Sequence, residues 1–325
     1  MKRKTALTVM VFLMLLICPS AAAENLVADR NGQWTDRCSA MTGEEIRCKA
    51  FFEAEGGREY IVRSAFSPGI RFLALDSLRC SGKTINASHY TLLTGRFVPE
   101  NGFEIRFCSA FSRQGSIMLE IEYRICLTEE AEEYNSCALT LAGSGESLLY
   151  PAAGITAYAL KICRSVSLPD TEKQSNPLSG VCYSLYRDKE LKERIAFYIK
   201  SDGTYVACAG SCCAHSRHAY LMRTGENGVI DISGLSSGKY YLLETRTPEG
   251  HRSMAEGTEL VISSEGEIIA GGVTLSNGML PLVERGIGKE KENKEKDPLD
   301  FYIHGSRVLS GLLAAMVAGR RKLFS

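Results

Sequence analysis

An all-β protein of two sandwich domains in tandem is what the sequence predicts, and three observations carry that prediction. The first is alternation. Phe103-Glu104-Ile105-Arg106-Phe107-Cys108 and Ile117 through Ile125 place apolar residues at every second position, the period of a strand with one buried face. The second is punctuation. Ser67-Pro68-Gly69, Ser81-Gly82 and Ser236-Ser237-Gly238 break the apolar runs with turn-forming residues. The third is extent. The chain has 325 residues, room for about two domains, and no long helical period runs from Glu24 to about Leu149.

Composition narrows the function classes. Hydrophobic residues make up 45% of the chain, ordinary for a globular protein, and 38 Lys and Arg balance 38 Asp and Glu. That balance gives no basic footprint for nucleic acid. The sequence shows no phosphate-binding Gly loop, no Ser-His-Asp context and no cofactor motif. Residues 1–23 read as a secretion signal: Lys2-Arg3-Lys4, an apolar stretch from Ala6 to Ile17, and Ala21-Ala22-Ala23 before the cut. Cys18 lies within the signal, which leaves eleven of twelve cysteines in the exported chain. An oxidising compartment permits disulfides, and the odd count leaves one thiol over.

Taken in order, the first domain spans 24–149. Its strands include Glu45 to Phe52, Phe103 to Cys108 and Ile117 to Ile125, and Leu127 to Tyr134 is a short acidic helical or loop segment. Residues 142–153 read as a linker, with Gly143-Ser144-Gly145 and Tyr150-Pro151-Ala152-Ala153. The second domain spans 155–278. It opens with the strand Ala157 to Ile162, continues with Leu178 to Tyr186, Gly203 to Ala207 and Ala219 to Arg223, and centres on Gly228 to Gly250. There Val229-Ile230 and Ile232 precede a Ser236-Ser237-Gly238 turn, and Lys239-Tyr240-Tyr241-Leu242-Leu243 forms a strand stopped at Thr247-Pro248-Glu249-Gly250. Glu244 follows this apolar run directly. Glu259 to Ile262 and Gly272 to Asn277 complete the domain. Residues 279–325 form a tail, with a charged insert at Lys289 to Asp297, an apolar run from Val308 to Gly319, and the basic end Arg320-Arg321-Lys322.

The stretch Gly228 to Gly250 resembles the prealbumin-like B-type domain of Gram-positive surface proteins and pilins. Each fixed position of that family's pattern is matched except the last, occupied by His251. Leu178-Ser179-Gly180-Val181-Cys182-Tyr183-Ser184-Leu185-Tyr186 is similar to another of its strands. The first domain resembles the shaft domain of fimbrial backbone subunits, on Gly43-Glu44-Glu45, Tyr60-Ile61-Val62, Ser67 to Phe72, Asn101 to Ile105, Ile121-Glu122-Tyr123 and Asn135. Shaft domains often join an early Lys to a late Asn. Asn135 sits where that Asn would, but Asn25 to Arg37 contains no Lys, and an Arg guanidinium is no nucleophile here. No isopeptide bond is expected in this domain; Cys38, Cys48, Cys80, Cys108, Cys126 and Cys137 are its candidates for disulfides. The subunit-accepting Lys that backbone pilins place after Tyr-Pro is replaced by Ala152.

For the second domain the resemblance implies an isopeptide bond between Lys161 on the first strand and Asn277 on the last, with Glu244 as proton shuttle. That chemistry needs an apolar interior, where burial lowers a Lys pKa and raises a Glu pKa until both are neutral. The bland alternative is a solvated Lys and a surface Asn. Cys208, Cys212, Cys213, His215 and His218 are weak zinc candidates, against disulfides or free thiols. Leu280-Pro281-Leu282-Val283 resembles a degraded wall-sorting signal, with Val283 for the usual Thr and Glu284 for the usual Gly, and the tail behind it reads as a membrane anchor.

The expectation is therefore an exported surface protein of a Gram-positive bacterium, a pilin-like structural subunit and not an enzyme. Its implied partners are a sortase, other surface or pilus subunits, and the membrane through the tail. The alternative is an adhesin or secreted binding module that does not polymerise and meets a host or matrix ligand.

Overall fold

The computed structural model describes residues 24–285, apart from 56–58, 96–97, 99–100, 109–115, 144–146, 150, 168–174 and 210–217. Every element of three residues or more among them is a strand, save two short 3-10 turns. They form four sheets that enclose two cores. The predicted all-β class and its tandem arrangement hold.

In the first unit one sheet is ordered Trp34–Thr35, Asn25–Ala28, Glu45–Glu55, Ser116–Leu127, Ile70–Cys80, Lys83–Thr84. The other is ordered Arg37–Ser39, Ala153–Thr156, Tyr134–Ala142, Ile61–Phe66, Phe103–Phe107, Tyr90–Thr94, with Ser147–Leu149 alongside Tyr134–Ala142. The alternation read at 117–125 is real. Ile117, Leu119, Ile121, Tyr123 and Ile125 face inward and join Phe52, Val62, Phe103 and Leu139 in one core. The acidic segment after Leu127 is a turn, in which Asn135 holds the loop by donating to the Glu132 carbonyl at 2.7 Å.

The boundary between the units differs from the expected linker. Ala153–Thr156 pairs antiparallel with Tyr134–Cys137 and parallel with Arg37–Ser39, and Ile155 is buried in the first core. Only Ala157 separates this strand from Tyr158–Ser167, which opens the second unit. The small residues that suggested a linker are partly sheet, because Ala153 and Gly154 fit where strands approach closely.

In the second unit one sheet contains Ser175–Pro177, Tyr158–Ser167, Val229–Leu235, Tyr205–Cys208 and Ala196–Ile199, with Met279–Arg285 paired to the outer side of Tyr158–Ser167. The other is ordered Met222–Arg223, Cys182–Tyr186, Gly238–Arg246, Glu256–Ile262, Ile268–Ala270, Val273–Thr274. Between them lie Leu160, Ile162, Tyr183, Leu185, Phe197, Ile230, Tyr240 and Leu242.

The two units are keyed together by a loop of the first. Met41, 1% exposed, sits in the core of the second unit. Thr42 donates its N–H to the Gly234 carbonyl at 3.2 Å and accepts from Ala209 N at 2.7 Å. Gly234 has φ +74°, and a Cβ there would meet Thr42 Oγ1, so glycine is required both for the turn and for the approach. The Ser236-Ser237-Gly238 turn docks beside that loop, on Arg30 and Ser39. Arg30 Nη1 donates to the Ser237 carbonyl at 2.8 Å, Arg30 Nη2 reaches Ser236 Oγ, and Ser237 N donates to Ser39 Oγ at 3.0 Å. Met41→Ala is therefore expected to lower the stability of the second unit by about 2–5 kcal/mol, the usual cost of a large-to-small core change. Tryptophan fluorescence follows the first unit alone through Trp34, and near-ultraviolet tyrosine signals follow both units, so a transition seen by tyrosine and not by Trp34 assigns the loss to the second.

Candidate functional site

The strand Tyr158–Ser167 turns alternate residues toward the core: Tyr158, Leu160, Ile162 and then Arg164. Arg164 is 1% exposed, and among the described residues no side chain as large is so fully buried. The last described strand, Met279–Arg285, lies parallel to it, with Arg164 opposite Leu282 and Val166 opposite Glu284. Its alternation buries Leu280, Leu282 and Glu284. On the facing sheet the strand Gly238–Arg246 presents Glu244, whose side chain is fully buried. Opening strand, closing strand and facing sheet thus converge on one buried cluster of charge.

Arg164 Nη2 lies 3.1 Å from Glu284 Oε2 and donates to the Arg252 carbonyl at 2.7 Å; Nη1 donates to the Ser165 carbonyl at 3.1 Å. Its Nε faces Glu244 Oε2 at 3.8 Å and makes no hydrogen bond. Glu244 is held by three other donors: Thr247 Oγ1 at 2.7 Å, Met254 N at 3.0 Å and the Tyr183 hydroxyl at 3.3 Å. Glu284 also accepts from Arg252 N at 3.0 Å and lies 3.2 Å from His251 Nδ1. A buried carboxylate is tolerable only when paired and hydrogen-bonded, and both acids meet that condition.

The electrostatics follow from this packing. Burial pulls the Glu284 pKa upward, but the Arg252 amide, Arg164 and His251 together outweigh it and hold it below its ordinary value. The Tyr183 hydroxyl is driven up, first by burial and then by the Glu244 charge beside it. Tyr183 therefore stays a neutral donor to Glu244.

The residues expected to meet are placed otherwise. Lys161 lies on the outer face of its strand, 44% exposed at the side chain, with Nζ 3.1 Å from Asp231 Oδ1. Its strand neighbours on that face are small, and the bulkier face with Leu160 and Ile162 is the buried one. Asn277 is exposed in a 3-10 turn with φ +55°, a left-handed conformation that Asn tolerates better than most residues. Val273–Thr274 ends the opposite sheet, paired with Ile268–Ala270, so the strand beside Tyr158–Ser167 is Met279–Arg285 instead. Neither Lys161 nor Asn277 has the apolar surroundings that amide formation needs. Of the three expected residues only Glu244 is in the core, and the residues gathered with it are Arg164 and Glu284. Strand alternation from Leu160 and from Leu280 was the signal for both.

Leu280, Pro281, Leu282 and Val283 carry a second correction. They are not a free peptide but the ladder partners of Ile162 to Ser165, with Leu280 and Leu282 buried. The second unit accordingly extends to Arg285. Pro281 lacks an N–H and is tolerated because this strand lies at the edge of the described sheet. The tail from residue 286, including the expected anchor, lies outside the described residues, as do Cys212, Cys213 and His215. Cys208 is buried and His218 exposed, and no group of metal-binding side chains occurs among the described residues. None of the described segments is a helix long and apolar enough to cross a membrane.

Two outcomes test the cluster. Glu284→Leu leaves Arg164 short of a partner and is expected to cost about 3 kcal/mol, whereas Lys161→Ala, at an exposed pair, should cost less than about 1 kcal/mol; urea midpoints measure both. Because the Glu284 pKa is depressed in the folded state, its contribution is complete above the ordinary carboxylate value and is lost as pH falls through the folded one. Acid titration of the urea midpoint should show this loss, and Glu284→Gln should remove that part of the slope.

Residues 164–274 match the SpaA prealbumin-like fold domain. No curated protein matches the chain in sequence. Among solved structures, the full-length major pilin RrgB of Streptococcus pneumoniae is similar over 82% of this chain and 75% of its own, at 10% identity and a TM-score of 0.57. The 35 kDa C-terminal fragment of the major pilin GBS80 of Streptococcus agalactiae is similar over 81% of this chain and 98% of its own, at 15% identity and a TM-score of 0.54. The chain thus carries a prealbumin-like domain and shares the tandem β-sandwich fold of these pilins.

Proposed function

We propose that this chain is a structural cell-surface subunit, built like a Gram-positive pilus backbone protein, whose second domain is closed by a buried ion pair in place of a covalent bond. One observation carries the reading. Arg164, Glu244 and Glu284 stand on the first strand, the strand of the Gly-Leu-Ser-Ser-Gly motif and the last strand, the order in which the family it resembles places its Lys, Glu and Asn. The substitutions change the chemistry. A guanidinium stays protonated and does not attack a side-chain carbonyl. Glu284 is a carboxylate that has no ammonia to lose. What remains is a charge-assisted contact in a protected site, which ties the two strands without making a bond.

This reading gives the protein a load-bearing role and no turnover chemistry. Glu244 holds the guanidinium, Lys161 belongs to a surface pair with Asp231, and Asn277 shapes a turn. Assembly with other subunits would not proceed as in a polymerising shaft: Ala152 stands where a Lys would accept the next subunit. A sortase would meet Leu280 to Val283 only if the closing strand left its sheet. Those two features favour a second reading, an adhesin or a terminal subunit displayed at the cell envelope.

Intact mass under reducing conditions tests the proposal. The wild-type chain is expected to show its full mass, with no ammonia lost and no change on Lys161→Ala. The double variant Arg164→Lys, Glu284→Asn restores amine and carboxamide beside Glu244 and is expected to lose one ammonia on folding. A wild-type deficit of one ammonia that Lys161→Ala abolishes would establish the Lys161–Asn277 bond instead.

A further inference from the structure

The core of the first unit holds a cluster that the load-bearing reading does not use. Cys48 lies on Glu45–Glu55 of one sheet, and Cys137 on Tyr134–Ala142 of the other. Both are fully buried. The two strands approach to 8 Å or less between Cα atoms, nearer than the roughly 10 Å usual between packed sheets. The Cys48 and Cys137 thiols are neighbours across that gap, near enough for each to act on the other's charge. Tyr123, directly opposite Cys48 in the ladder, is buried beside the two thiols, and its hydroxyl has no hydrogen-bond partner. Cys38, partly exposed, is the third thiol nearby.

We infer that Cys48 and Cys137 are the site of an inter-sheet disulfide that pins the two halves of the first unit. Facing strands that come within 8 Å, with both side chains turned into the gap, need close only slightly to reach the Cα separation of about 4.4–6.8 Å that a disulfide spans. Cys38 is excluded as the partner of Cys137. The whole strand Ala153–Thr156 lies between theirs, because Cys38 pairs with Ile155 and Cys137 with Ala153. Two strand spacings of about 4.8 Å exceed the reach of a bridge.

Oxidation removes one hydrogen from each thiol and passes two electrons to an oxidant of the disulfide class, which leaves as two thiols. The step belongs to folding rather than to the finished domain. In the folded core burial pushes the Cys38 thiol up to about 12 and Cys48 well above its ordinary value, so neither presents the thiolate that exchange needs.

The test uses the whole chain, reduced and unfolded, then refolded with oxidised glutathione and with reduced glutathione in parallel. After each, the protein is unfolded, its remaining thiols are alkylated without reduction, and peptides are mapped. The expected result with the oxidant is a linked Cys48–Cys137 peptide lacking two hydrogens, an alkylated Cys38, and a higher urea midpoint for the first unit than in the reduced sample. Cys48→Ala should then leave Cys137 open to alkylation. Alkylated Cys48 in the oxidised wild type, or Cys137 linked to another cysteine, overturns the inference.

Discussion

The second domain depends on how one guanidinium is kept out of water. Arg164 sits between its sheets with Glu284 on one side and Glu244 on the other, and the Arg252 backbone, Tyr183, Thr247 and the Met254 amide are arranged around those three groups. Taking such charges from water costs several kcal/mol for each ion, which their attraction returns only when the hydrogen bonding is nearly complete. The net stability of the cluster is therefore modest. Its larger consequence is positional: closing strand and facing sheet must be in register with the opening strand, or a buried charge is left alone.

That constraint has a mechanical side. Tyr158–Ser167 and Met279–Arg285 run parallel, so the first residue of one and the last of the other leave the sheet at opposite ends. Force applied through the chain then loads the ladder in shear, sharing it among the hydrogen bonds instead of opening them one by one. The Arg164–Glu284 contact lies within that ladder. On the other side, Met41 enters the second core, Thr42 bonds Gly234 and Ala209, and Arg30 holds the turn at Ser236 to Gly238, while Ala157 alone bridges the strands on either side. The joint between the units is a packed surface, which transmits force with little slack.

Much of this was legible in the sequence. The alternating strands at 103–107 and 117–125, the turn before Lys239 and the strand that runs through Glu244 to the stop at Thr247-Pro248 stand where they were read, because a two-residue period and a Gly or Pro stop are local properties. Glu244 was identified because a charge at the end of an apolar strand needs a reason. Its partners were not, and the physical cause is clear in each case. Lys161 has the right chemistry but stands one face away; the face shared by Leu160 and Ile162 leads to Arg164. Asn277 has the right group but belongs to a left-handed turn. Leu280 to Val283 looked like a processing signal because its residue types fit one, while its alternation, Leu280, Leu282, Glu284, was that of a buried strand. The loop carrying Met41 could not be assigned to the second core, since no local pattern records a contact between residues so far apart in sequence.

The account stands on the Arg164–Glu284 contact linking the first strand of the second domain to its last. A double-mutant cycle measures that contact directly, with Arg164→Met, Glu284→Leu and the pair combined, each unfolded in urea. A buried, strand-linking pair predicts a coupling of about 2 kcal/mol or more, with the combined variant far more stable than the sum of the single losses implies. Additive losses, with a coupling near zero, would mean that the two side chains do not hold the strands together.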